Sequence, residues 1–120
     1  MSAVPSGGVL IYPTGKVAKV AGMLGLRELQ RDMGGYVQAV PVEWDDDGTT
    51  STTLWCNEDG KAMGLPVNDL ATRVWWTLCP EMANRDNLVG TVLFTGPVQE
   101  SGYGPLTQAT WDVVETITTA

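Results

Sequence analysis

The side chains here that could do chemistry are few, and one type is missing: none of the 120 residues is a histidine. That removes the usual general base near neutral pH and the commonest metal ligand together. Asp45, Asp46 and Asp47 set three carboxylates in a row, the oxygen ligands that hard cations such as Ca²⁺ take. An EF-hand loop begun at Asp45 would need an acid or amide at position 49 and a glutamate at position 56, where this chain has Thr49 and Cys56. Successive side chains of an extended loop also point apart. The run reads as a solvated hairpin tip, and neither a metal nor any other cofactor is expected.

Cys56 and Cys79 form no CxxC pair, and two thiolates do not complete a four-ligand zinc site. The reading is two buried, unreactive thiols, with a single disulfide as the alternative. A serine or cysteine nucleophile would need lysine or a carboxylate as its base. Glu58 and Asp59 are adjacent acids in turn chemistry, where water keeps carboxylates ordinary, so no catalytic residue is assigned. Gly60-Lys61 lacks the upstream glycine and following hydroxyl of a Walker A loop, and Gly22-Met23-Leu24-Gly25 does not make GxGxxG. Helices starting near Leu24 and Pro66 would leave free N–H groups for an anion, with Lys16, Lys19, Arg27 or Lys61 nearby.

Five tryptophans are many for this length. Trp75 and Trp76 are neighbours and cannot share one face of an element, so one of them is expected at the surface or an interface. Tryptophan anchors interfaces and ring-stacking pockets, which makes both ligand or partner candidates.

These residues need elements to hold them. Residues 1–8 read as a flexible lead. Residues 9–12 and 16–20 read as a β-hairpin around Pro13-Thr14-Gly15. Leu26, Leu29 and Met33 mark a short amphipathic helix over 24–33, stopped by Gly34. A strand follows over 36–42, with Pro41 at its end or on an edge. An exposed connection over 43–51 leads into a strand over 52–56 and the turn Asn57-Glu58-Asp59-Gly60-Lys61. Gly64-Leu65-Pro66 is expected to open a second helix with Val67, Leu70, Ala71 and Val74 buried. Residues 87–96 read as the central strand, 96–105 as a mobile loop, and 106–117 as a C-terminal helix despite its β-branched content. The fold expected is α+β: a single domain with an antiparallel or mixed sheet of about five strands and two to three helices packed on one face.

The net charge is −7. Residues 1–40 carry four basic and two acidic residues; residues 41–120 carry three basic and twelve acidic. Such a field repels a phosphate backbone, which disfavours direct nucleic-acid binding. No apolar run is long enough to span a membrane, and the first residues carry no signal-peptide pattern, so the expected compartment is the cytoplasm.

Three stretches carry a family resemblance. They are Gly34-Gly35-Tyr36-Val37-Gln38-Ala39-Val40-Pro41, then Cys56-Asn57-Glu58-Asp59-Gly60-Lys61 running into Gly64-Leu65-Pro66-Val67-Asn68, and Leu88 to Gly96. Together, over about residues 9–96, they resemble the DUF3846 family, small proteins carried largely by phages, plasmids and actinobacterial or Gram-positive genomes. Residues 97–120 fall outside the resemblance, as a loop and a helix packed on the core. The shared segment reads as a strand, a turn and a proline-started helix, in which Asn57 and Asn68 either make turn and cap hydrogen bonds or join Glu58 and Lys61 in a binding site.

The resemblance and the absent catalytic set lead to one expectation. The chain is a non-catalytic accessory protein of a phage or mobile element, acting in the host cytoplasm. It would bind a host protein, or itself as a homo-oligomer, through an acidic, tryptophan-bearing surface. A second expectation is a binder of a small anionic, nucleotide-like molecule; a third is a small hydrolase working without histidine. The candidate binding residues are Asn57, Glu58, Lys61, Asn68, Trp75 and Trp76.

Overall fold

Residues 9–11 are Val-Leu-Ile, apolar at successive positions, and all are buried. Neighbouring strand residues point to opposite faces, so this strand must be covered on both sides. The computed structural model describes residues 3–44, 50–100 and 102–119, and it supplies both covers. Strands β1 (Gly8–Ile11), β2 (Val17–Val20), β3 (Val37–Trp44), β4 (Thr50–Asn57) and β5 (Val92–Thr95) form one sheet in the order β2-β1-β5-β4-β3. Every neighbouring pair is antiparallel. The expected α+β domain with five strands therefore stands, and its sheet is antiparallel rather than mixed.

Helices α1 (Leu26–Met33), α2 (Asp69–Leu78) and α3 (Gln108–Thr119) complete the main elements, with a single 3₁₀ turn at Pro80–Met82. On one face Val9, Ile11, Val42, Leu54, Val92 and Phe94 pack against Leu70, Ala71, Val74 and Trp75 of α2 and Trp111 and Val114 of α3. The opposite face presents Leu10, Val20 and Leu93 to Leu29 and Met33 of α1 and to Tyr103. Tyr103 belongs to a small hairpin, β6 (Val98–Gln99) with β7 (Gly102–Tyr103). Of the two to three helices expected on one face, α2 and α3 share it, and α1 lies on the other. The unbroken apolar runs of β1 and β5 are the reason.

Other expectations change at their ends. Pro5, Gly7 and Gly8 are buried, so the lead is tied down well before residue 8. The Gly7 N–H bonds the Val20 carbonyl at 3.0 Å, and its own carbonyl accepts from Leu106. A Cβ on Gly7 would lie 1.8 Å from the Gly22 carbonyl oxygen. Glycine stands there for close backbone approach, not flexibility. Helix α1 ends as expected, at Gly34 with φ 79°. Helix α2 begins at Asp69, later than Pro66, because Asn68 is its N-cap; Val67 is 46% exposed instead of joining the buried stripe. The central strand is central but short, since Gly90 at φ 73° interrupts it and leaves a lone bridge between Val67 and Val89.

The stretch 96–105 is not a bare loop. Gly96 donates to the Gly104 carbonyl at 3.0 Å and Gly104 to that of Pro97 at 2.8 Å. The Tyr103 hydroxyl accepts from the Leu24 N–H at 2.7 Å, and its ring sits 5.7 Å from that of Trp55. The C-terminal helix forms as expected, with its threonine hydroxyls bonded back to carbonyls four residues earlier, as at Thr116 and Thr118. No helix among the described residues is long and apolar enough to cross a membrane. Asp45, Asp46 and Asp47 lie outside the described residues.

Candidate functional site

Gln38 and Val40 on β3 and Leu54 and Cys56 on β4 alternate along their strands, so all four face the side of the sheet that carries α2. They form one wall of a cavity of about 570 Å³. Trp75, from the last turn of α2, and Met82, from the 3₁₀ turn, stand across from them, with Leu88 and Val89 beside. The polar edge comes from the turn after β4 (Asn57, Glu58, Asp59, Lys61) and from Asp86 and Asn87. Ligand pockets run from roughly 300 to 1,000 Å³, mostly apolar with a few polar groups. This cavity has that character.

The turn is held by its own hydrogen bonds and by partners from α1, from Tyr36 just before β3 and from the 86–89 segment. Asn57 is only 6% exposed. Its Nδ2 donates to the Met33 carbonyl at 2.9 Å, and its Oδ1 accepts from the Asp59 N–H at 2.8 Å. The Glu58 N–H bonds the Tyr36 carbonyl at 2.8 Å. Gly60 is buried beside Val89, whose Cγ2 would be 2.9 Å from an added Cβ. Glu58, Asp59 and Lys61 are exposed around this frame. Lys61 reaches across to an ion pair with Asp86, tying the turn to the 83–87 segment. Asp86 also accepts the Asn87 N–H on its carboxylate and the Trp76 ring N–H on its carbonyl.

Four of the six candidates therefore meet at one cavity: Asn57, Glu58, Lys61 and Trp75. Trp76 is half-buried and lines a neighbouring depression with Asn84, Arg85, Asp86 and Asn87. Trp75 is buried and Trp76 partly exposed, as adjacency on a helix requires. Asn68 is elsewhere. Fully buried, it donates to the carbonyls of Ile11 at 2.9 Å and Gly90 at 2.8 Å and accepts the Ala71 N–H at 3.1 Å. It is a scaffold residue, and it does not line the cavity. Sequence reasoning missed Gln38, Val40, Cys56, Met82, Asp86, Asn87 and Leu88. Strand alternation offered a signal for the first three; the others are brought in by tertiary folding alone.

Both cysteines are free thiols. Burial pushes the Cys56 thiol above its ordinary range and the Lys61 charge pulls it part of the way back. Burial also raises Cys79, with the charge of Glu81 adding to the shift and a hydrogen bond from the Met82 backbone opposing it. Near neutral pH Cys56 therefore meets the cavity as a protonated, weakly nucleophilic thiol. Among the described residues no three His, Cys, Asp or Glu side chains cluster as a metal would need.

The comparison with models of protein families decides the assignment. Residues 7–118 match the domain of unknown function DUF3846. The chain belongs to the DUF3846 family. The match runs beyond Gly96, so the small hairpin and α3 belong to this DUF3846 domain along with the sheet. None of the curated proteins and none of the solved structures matches the chain.

Proposed function

We propose that this DUF3846 domain is a non-catalytic binding protein for a small molecule, held in the cavity between β3, β4 and α2. The supporting observation is the cavity of about 570 Å³ with Val40, Leu54, Trp75, Met82 and Leu88 on its walls and charged side chains confined to its edge. Apolar walls supply affinity through excluded water, and edge groups supply orientation. The carboxylates stand in water at the edge and the thiol is protonated, an arrangement suited to holding a molecule rather than cleaving one. In the phage or mobile-element setting that the family resemblance implies, such a domain would sequester or sense a host metabolite in the host cytoplasm.

Protein binding through a tryptophan surface fits less well, because Trp75 is 5% exposed and Trp111 4%. One observation still favours a protein partner: Tyr36 and Met63 are both exposed beside the turn, Tyr36 accepting the Glu58 N–H on its backbone carbonyl and Met63 the Asn57 amide on its sulfur.

A ligand-observed NMR screen of ring-containing fragments, run on the native chain and on Val40→Trp, tests the cavity. Val40 is half-buried on its wall, so the larger ring fills the space from β3. Binding fragments are expected for the native chain and should be mostly lost in the variant. An unchanged set, or no binders to the native chain, would overturn the proposal.

A further inference from the structure

We infer that the ligand of this cavity is a ring compound bearing an amine, not a phosphate or nucleotide. This rests on the cavity being a small-molecule site and adds the ligand's charge. Three carboxylates edge the cavity, those of Glu58, Asp59 and Asp86, against the single ammonium of Lys61. Lys61 is already paired with Asp86. Among the described residues no second cation lines the cavity to meet a phosphate, and Glu58 and Asp59 have no ion-pair partner. Arg85, the nearest further cation along the chain, lines the neighbouring depression instead.

The backbone adds to the same sign. Trp75 enters the cavity from the last turn of α2, which carries no basic residue. A helix C-terminus presents the negative end of its dipole and favours cations. The net charge of −7 biases approach in the same direction at low salt. Trp75 and the apolar wall favour a ring as the body of the ligand, with its positive group held at the edge near Glu58 and Asp59.

Three naphthalenes that differ in charge test this by titration calorimetry: 1-naphthylmethylamine, 1-naphthalenemethanol and 1-naphthylacetate. The amine should bind about threefold to tenfold more tightly than the alcohol at about 50 mM salt, and the acid most weakly, with the spread shrinking at about 500 mM. The amine's advantage should vanish in Glu58→Gln/Asp59→Asn, and Lys61→Met should increase it by freeing Asp86. An acid that binds as well as the amine, or an amine advantage that survives the double variant, would overturn the inference while leaving the cavity in place. Binding by none of the three would remove the cavity reading, and the inference with it.

Discussion

Asn68 joins three parts of the molecule through one carboxamide: the end of β1 at Ile11, the Gly90 carbonyl, and the first turn of α2. Removing it takes a buried donor away from two carbonyls and uncaps a helix. A cap is worth about 1 kcal/mol and a buried unsatisfied group about 1–3 kcal/mol. Asn68→Ala should therefore lose roughly 3 kcal/mol or more in urea unfolding. A loss below about 1 kcal/mol would mean that the carbonyls find other partners. The residue type alone could not separate this role from ligand binding. Asn57 and Asn68 both sit in a turn-rich motif, yet their decisive partners are remote: Met33 is 24 positions from Asn57, and Ile11 is 57 from Asn68. Glu58, Lys61 and Trp75, which line the cavity, stood out as candidates in the sequence because an exposed turn and a large ring carry their own signals.

Elements were more legible than their boundaries. Alternation and apolar runs revealed the five strands, Gly34 the end of α1, and 3–4 residue spacing the helix α3. What failed was local competition: Asn68 caps α2 two residues after the proline that seemed to open it, and Gly90 cuts the long apolar run before β5. The hairpin of β6 and β7 has only two residues per strand, too few for any period to show. At the sheet margins, β2 is short and carries an exposed Lys19, while β3 has eight residues and an open edge. An edge that long invites another chain to pair with it. Pro41, which lacks an N–H, and the register shift between Pro41 and Glu43 both oppose that. Pro41→Val should allow edge pairing, seen as dimer or larger species growing with concentration in size-exclusion light scattering. A variant that stays at the native mass would show that the irregular register suffices to protect the edge.

At the scale of the whole molecule, the cavity has no home in any one segment. It opens where the sheet face of β3 and β4 extends past the end of α2, and it is closed by the 3₁₀ turn and by residues 86–89. The acidic balance was legible from composition. The convergence of Glu58, Asp59 and Asp86 on one opening was not, because it depends on how the turn and the 83–87 segment meet through Lys61. The central claim is a location for binding, and amide chemical-shift mapping with 1-naphthylmethylamine reads location directly. Shifts should centre on Gln38, Val40, Cys56, Leu88 and Val89 and on the Trp75 indole N–H. Shifts centred instead on Tyr36, Met63 and Val98, or scattered with no centre, would contradict it.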